Sequence, residues 1–323
     1  MDWKEWRKFL KEEKEIVQEI SVGKMTGIDI PEALAKLDAI ADKTWIFFDT
    51  ETTGFNQKKD QVTELAAIAV EPNDWQDPKI VGTYHEKIKL NPDILRRLKD
   101  PQSPERIEWE KEQAKQRKPL KKPQDVLKFT RYGEKGVDFK DEQETFEEFR
   151  KFITQFKDPV LVAQNASFDM KFVNGRLKQK LPKLPVIDTV PVLKFQLIPL
   201  LQALTDIDNI SKNVLPDLPE DKKEEFMNIY KMASFALDKI NTRFGPSASL
   251  GKIAAAFEIN TDEWHNALAD TKMLIEVYKK TYNTLQLIKK YGVETFTYHL
   301  KAVNSFKAAE KRRKFMMKRK KKK

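Results

Sequence analysis

Two acidic residues stand one residue apart at the end of a short apolar run, in the segment WIFFDTETTG of residues 45–54. In a β-strand, residues i and i+2 project from the same face, so Asp49 and Glu51 are expected to point the same way. Two carboxylates held side by side repel each other unless a cation lies between them or one of them keeps its proton. The spacing therefore predicts a cation site at the end of a strand.

A third acid and an acid–histidine pair occur much later in the chain. Asp169 follows the apolar run VLVA of residues 160–163, which predicts that it lies in the first turns of a helix. That position is the carboxyl edge of a sheet, where open α/β sheets build their sites. His265 and Asp270 are separated by about 500° of helical turn, so they cannot share one helix face. We expect His265 on the loop or first turn of a helix that carries Asp270.

These residue types together indicate one kind of chemistry. Several acids would be costly in a core without cationic partners, and no lysine or arginine lies inside their motifs. Carboxylate oxygens suit Mg²⁺ or Mn²⁺, and two such ions stabilise both the attacking and the leaving oxygen of a phosphodiester displacement. A histidine, which titrates near neutral pH, can take the proton from the attacking water. The sequence thus predicts metal-dependent hydrolysis of phosphodiesters.

In order and spacing the motifs resemble the DEDDh 3′–5′ exonucleases, the ribonuclease H-like family that includes the proofreading ε subunit of bacterial DNA polymerase III. The resemblance runs through FDTETTG (48–54), VTELA (62–66), NASFD (165–169), VIDT (186–189) and the segment 265–270. It extends over residues 44–90, 137–196 and 247–285. It implies an α/β fold, with a ribonuclease H-like mixed β-sheet flanked by helices.

The resemblance also implies roles for individual residues. The metal-binding acids would be Asp49, Glu51, Asp169 and Asp270, holding two Mg²⁺ or Mn²⁺ ions, and His265 would be the general base. The sister subclass has a tyrosine where this chain has Asn266, which favours the histidine subclass. The turn that follows the metal pair would meet the terminal nucleotide; it comprises Thr52, Thr53, Gly54 and Phe55.

Several positions in the motifs have structural readings beside the functional ones. Gly54 could be required only for its backbone freedom. Asn165 either contacts the substrate or caps a helix. Glu64 either orders the water and ligands around the metal without binding it, or has only a structural role. Asp188, at a predicted helix start, is expected to be a cap. Many members of the family have histidine at the position of Gln164, and this difference removes no metal ligand.

The pattern of apolar and breaker residues predicts three parts. A helical N-terminal appendage (1–42) precedes an exonuclease-like domain (43–290), and a basic tail (291–323) ends the chain. The domain has two insertions, at about 91–135 and 197–246. Prolines in the first predict helix only in patches, whereas the second reads as helices. The segment 196–200 faintly resembles a sliding-clamp motif.

Charge is unevenly distributed along the chain. Of 60 basic and 50 acidic residues, 12 basic and one acidic lie in 301–323, which leaves 48 basic and 49 acidic elsewhere. Such a tail either contacts phosphates or is a solvated end. The absence of cysteine excludes disulfides and thiolate metal sites. No apolar run is long enough to span a membrane, and no secretory signal is present, so a cytoplasmic setting is expected.

The expected activity is removal of nucleotides from single-stranded or frayed 3′ ends of DNA, in proofreading or repair. An RNA exonuclease similar to RNase T or oligoribonuclease is the enzymatic alternative, because the metal ions contact the phosphate, which DNA and RNA share, and not the sugar, where they differ. A non-catalytic module that binds nucleic acid or tethers a DNA polymerase is the alternative of another class. A DNA polymerase or a sliding clamp is the expected protein partner.

Overall fold

The computed structural model describes residues 40, 42–71, 75, 77–116, 123–206, 210–212, 214–243, 245–260 and 266–291. The predicted N-terminal appendage and basic tail lie almost entirely outside these residues, and so does His265. The boundaries of the three predicted parts therefore stay predictions.

The described residues contain one mixed sheet. Its strands are β1 (Trp45–Thr52), β2 (Val62–Glu71), β3 (Lys79–Lys87), β4 (Val160–Ala163) and β5 (Val186–Asp188), in the spatial order β3-β2-β1-β4-β5. β2 is antiparallel to both β1 and β3, whereas β4 is parallel to both β1 and β5. The predicted mixed sheet is confirmed, and β1, which carries the two acids, is its central strand.

Alternating side chains along β1 explain why both faces of the sheet are covered. Successive strand residues point to opposite faces. Trp45 and Phe47 therefore lie in one apolar cluster, while Ile46 and Phe48 lie in another. We call the side with Trp45 and Phe47 the front face and the side with Ile46 and Phe48 the back face. Both need helices to keep water away.

The helices are, in chain order, α1 (Pro92–Lys99), α2 (Pro104–Gln116), α3 (Pro123–Thr130), α4 (Glu142–Thr154), α5 (Ala166–Arg176), α6 (Thr189–Val192), α7 (Ile198–Ala203), α8 (Glu220–Ile240), α9 (Leu250–Ala256) and α10 (Ala267–Tyr291). A π-helical turn, Leu193–Leu197, joins α6 to α7, and a 3₁₀ turn, Leu215–Asp217, precedes α8. None of the described helices combines the length and apolar character needed to cross a bilayer.

Helices cover the two faces through different side chains. On the back face, α4 packs through Phe146 and Phe149, and α5 through Phe172. On the front face, α10 packs through Leu274 and Tyr278, among others. Helices on both sides of the sheet complete the predicted α/β architecture.

The first insertion is more helical than the sequence predicts. Pro92 and Pro104 are the first residues of α1 and α2, rather than breaks within them. Proline suits that position, because its fixed φ matches a helix and its missing N–H needs no partner there. Asn91 caps α1 by accepting a hydrogen bond from the backbone N–H of Ile94 (2.9 Å). The prolines therefore start helices here, and the prediction of patchy helix is wrong.

The second insertion has its own apolar cluster, built by the π-helical turn, α7, α8, α9 and part of α10. Gln196, Leu197 and Ile198 are completely buried in it. The faint clamp motif at 196–200 is therefore inside the core, and its side chains are not accessible to a partner. The motif does not support binding of a sliding clamp.

Candidate metal centre

The two acids of β1 lie within the strand and not at its end, because β1 continues to Thr52. Asp49 and Glu51 share the front face with Trp45 and Phe47 and are partly exposed. The apolar half of this face is covered by α10, whereas its acidic half opens toward solvent. Along the front face of β1, the side chains are therefore apolar and buried up to Phe47, and acidic and partly exposed from Asp49 onward.

Asp270 completes a group of three carboxylates. It lies in the first turn of α10, is 7% exposed, and its backbone N–H donates to the carbonyl of Asn266 (2.8 Å). One oxygen from each of Asp49, Glu51 and Asp270 lies within 4.8 Å of the other two. All three donors are hard oxygens, the kind that Mg²⁺ and Mn²⁺ prefer. The arrangement fits a divalent cation.

Asp169, the fourth predicted ligand, approaches β1 from the back-face helix α5. The pairing of β4 with β1 ends at Phe47 and Val162, so β1 extends beyond its parallel neighbour. Asp169 occupies that open edge: its Oδ1 accepts from the backbone N–H of Thr50 (3.1 Å) and from the Thr50 hydroxyl (2.6 Å). Asp169 is not one of the acids whose oxygens lie within 4.8 Å of one another; the structure instead bonds it to Thr50, the residue between Asp49 and Glu51.

Burial raises the pKa of the Asp169 carboxyl from 3.8 to about 7, and the negative charge of Glu51 acts in the same direction. Hydrogen bonds from Thr50 oppose this shift and do not offset it. Between about pH 4 and pH 7, the folded state therefore keeps a proton that the unfolded chain has lost. This group stabilises the fold fully below about pH 4, and the contribution disappears as the pH rises through about 7.

We therefore expect the melting temperature of the metal-free protein to contain a component that falls between about pH 4 and pH 7 and is lost by pH 8. D169N, a neutral side chain of the same shape, should remove this component and melt above wild type at pH 8. Thermal denaturation in EDTA across this range measures it. D238N, at an exposed position on α8, is the matched control and should follow wild type. A D169N profile parallel to wild type would contradict the assignment.

Glu64 lies next to Glu51 on the front face. The register pairs Glu51 with Glu64 and Glu64 with Lys87, and residues directly opposite in an antiparallel pair share a face. The buried Glu64 carboxylate accepts from His85 Nε2 (2.5 Å) and from Lys87 Nζ (3.1 Å). Both partners come from β3. The sequence analysis missed them, although their spacing of two residues on a strand is a signal that could have found them.

The turn after β1 is compact and bonded to itself. The Thr52 hydroxyl donates to the carbonyl of Gly54 (2.7 Å), and the backbone N–H of Thr53 donates to the carbonyl of Gln61 (2.9 Å). A Cβ at Gly54 would lie 2.3 Å from Asp60 Oδ2. Glycine is therefore required at this position by the close approach of a carboxylate. Phe55 follows, with its ring centroid 6.2 Å from that of Phe168 on α5.

Asn165 does not cap α5 with its side chain. Its backbone is left-handed (φ 61°), its side chain is exposed, and its N–H donates to Asp188 Oδ1 (3.0 Å). Asp188 also accepts from the N–H of Val190 (3.0 Å), so its predicted capping role is confirmed. Gln164 accepts from the Thr189 hydroxyl and donates through Nε2 to the carbonyl of Ala248 (2.8 Å). Of the two readings of Asn165, contact with substrate stays a prediction.

Residues 46–100 match the model of a family described as Exonuclease (RNase_T). This region contains β1, β2, β3 and α1, and so both Asp49 and Glu51. Two curated relatives are named DNA polymerase III PolC-type: one from Bacillus cereus is 31% identical over 160 residues, and one from Bacillus subtilis is 28% identical over 161 residues. The family match and these relatives confirm the resemblance to the DEDDh exonucleases.

The similarity is partial in length. Each alignment takes in 48% of this chain and 9% of the polymerase, so the chain corresponds to a small part of these relatives. A crystal structure of E. coli Exonuclease I in complex with a dA16 oligonucleotide is 15% identical, with a TM-score of 0.42. That comparison covers 79% of this chain and 42% of the other.

Proposed function

We propose that this chain, a relative of the DEDDh exonucleases, is a metal-dependent 3′–5′ exonuclease that hydrolyses DNA from 3′ ends and releases nucleoside 5′-monophosphates. The observation that carries the proposal is the group of three carboxylates, Asp49, Glu51 and Asp270, whose oxygens lie within 4.8 Å of one another. They come from two separate elements of the fold, β1 and the first turn of α10. Acids brought together from such distant parts of a chain repel one another unless a cation joins them.

The four acids Asp49, Glu51, Asp169 and Asp270 would hold two Mg²⁺ or Mn²⁺ ions. When bound, such ions stabilise the attacking and leaving oxygens of a phosphodiester displacement. β1 fixes the first two carboxylates and α10 fixes the last, so these three are oriented before substrate arrives. Asp169 is kept at the edge of β1 by its two hydrogen bonds to Thr50, and it must lose its proton to act as a ligand.

His265 would be the general base that takes the proton from the attacking water. It precedes the start of α10, whose first turn carries Asp270. A base that precedes a metal-binding acid by five residues in the sequence suits a reaction in which water attacks a phosphate bound by the metal ions. Glu64, bonded to His85 and Lys87, would keep the neighbouring Glu51 in place from β2.

The 3′-terminal nucleotide would meet the turn formed by Thr52, Thr53, Gly54 and Phe55. Gly54 lets the backbone of this turn pass close to Asp60, and the Phe55 ring offers an apolar surface for a base. Asn165, whose side chain is exposed just before α5, would also contact the substrate. These groups recognise a strand end and no base in particular, as an exonuclease requires.

We propose DNA as the substrate and proofreading or repair as the setting because the curated relatives are DNA polymerases. The same four acids would serve an RNA exonuclease, since the metal ions they would hold contact the phosphate, which DNA and RNA share. Association with a DNA polymerase belongs to the same proposal. No described residue is assigned to a 2′-hydroxyl, so the choice between DNA and RNA is one for experiment.

The test uses the full chain with 5′-labelled single-stranded DNA, mispaired duplex DNA and RNA of one sequence, in Mg²⁺ or Mn²⁺. We expect a descending ladder on DNA, silenced by EDTA. Labelled mononucleotide appearing first would mean the opposite polarity, and faster shortening of RNA would identify an RNA exonuclease. A gel shift with no products under any of these conditions would make the chain a binding module.

A further inference from the structure

A buried carboxylate lies directly beneath the turn that follows β1. The Asp60 side chain is 1% exposed, and its Oδ2 accepts from the backbone N–H of Asn56 (2.8 Å). The same oxygen is the atom that a Cβ at Gly54 would strike at 2.3 Å. The Thr53 hydroxyl is 3.5 Å from the other oxygen, Oδ1. Asp60 thus lies against Thr53 and Gly54 of the turn and holds Asn56 just after it, which constrains where the backbone of the turn lies.

Arg97 of α1 holds this carboxylate from the first insertion. Its Nη2 donates to Asp60 Oδ1 (2.8 Å) and to the Thr53 hydroxyl (2.8 Å), and its Nη1 donates to the carbonyl of Lys59 (3.1 Å). The side chain is 5% exposed, and its guanidinium carbon lies 5.2 Å from the centre of the Trp109 ring on α2. A planar, multidentate and stacked guanidinium is a role that lysine fills poorly.

A second arginine ties the same loop to the helix that carries Asp169. Arg176, in the last turn of α5, donates through Nη2 to the carbonyl of Asp60 (2.6 Å) and through Nη1 to that of Gln57 (3.3 Å). The loop is therefore attached on one side to α5 and on the other to α1. Of these two attachments, only the one made by Arg97 of α1 reaches the side chains of Asp60 and Thr53.

A buried ion pair adds little to stability compared with an apolar pair of the same volume, because both ions lose their hydration. In some proteins such a pair serves to fix one conformation among several. Here the conformation it fixes is that of Thr53 and Gly54, the turn next to Glu51. We propose that Arg97 is a positioning residue that acts through Asp60 to place this turn for the 3′-terminal nucleotide. The inference rests on the proposed function, and it gives the first insertion a part in substrate binding.

The test compares R97M with R96M in the full chain. Arg96 is the neighbouring residue on α1, its side chain is 54% exposed, and it pairs with Glu105 on the surface, so R96M removes the same charge without touching the turn. We expect R97M to raise KM for a single-stranded oligonucleotide about tenfold, while the single-turnover rate at saturation stays within about threefold of wild type. R96M should change neither quantity. A folded R97M with the KM of R96M would overturn the proposal.

R97K is the second variant, because R97M leaves Asp60 buried without its cation. R97K keeps the positive charge but loses the planar guanidinium that donates to several acceptors at once. Its KM should therefore lie between those of wild type and R97M. If R97M does not fold, R97K alone decides: a raised KM supports the positioning role, and a wild-type KM refutes it.

Hydrogen exchange of residues 53–61, measured without metal or nucleic acid, separates this inference from the proposed function. Faster exchange there in R97M or R97K, and not in R96M, is expected even if the chain releases no nucleotides from any substrate. Unchanged exchange in both Arg97 variants would refute the attachment itself. Absence of nuclease activity in wild type would instead refute the proposed function.

Discussion

D49A is expected to reduce nucleotide release by about 10³-fold or more, equivalent to about 4 kcal/mol of lost transition-state stabilisation. Asp49 provides one of the three oxygens that lie within 4.8 Å of one another, and alanine offers no replacement. Single-turnover cleavage of a 5′-labelled oligonucleotide at saturating Mn²⁺ measures the loss. Activity near that of wild type would show that the cluster is not the metal site.

The same variant should not unfold the protein. Asp49 has Glu51 and Asp270 as close acidic neighbours, and its removal relieves their mutual repulsion. The melting temperature in EDTA is therefore expected to equal or exceed that of wild type, as often happens when a functional charge cluster is removed. D77A, at an exposed position before β3, is the matched control and should keep full activity.

H265A is expected to slow the chemical step by about 10²–10⁴-fold, the usual contribution of a general base. The four acids remain, so metal and DNA binding should be largely unchanged. Single-turnover rates at saturating substrate, together with DNA affinity measured in Ca²⁺, separate the two quantities. H299A, which lies outside every motif, is the control. A large loss of affinity with an unchanged single-turnover rate would make His265 a substrate-binding residue.

The parts of the fold that local periodicity determines were predictable. The spacing of Asp49 and Glu51 predicted a strand with both acids on one face, and the apolar run before Asp169 predicted a strand followed by a helix; the mixed sheet itself was implied by the resemblance. Asp270 was expected on a helix and lies in the first turn of α10. These predictions depend only on which residues share a face within one element, and that is information a single sequence contains.

Pairings between distant residues were not predictable in the same way. Thr50 and Asp169 are 119 positions apart, and Asp60 and Arg97 are 37 positions apart. No periodicity relates such positions, and a charged residue in a polar segment is usually solvated. The prolines of the first insertion misled for another reason, because Pro92 can either interrupt a helix or begin one, and the capping side chain of Asn91 decides between them.

Helix α10 joins two of the apolar clusters, that of the front face and that of the second insertion. Leu274 and Tyr278 pack on the sheet, whereas Val277 and Ile288 pack in the cluster of the second insertion. Deleting 197–246 would therefore leave an apolar stripe of this helix facing water, rather than yield a smaller, soluble domain. A continuous rigid rod also couples its two ends during denaturation, so the insertion and the sheet are expected to melt in one cooperative transition. The second insertion is thus integral to the unit that fixes Asp270, and it is not a detachable module.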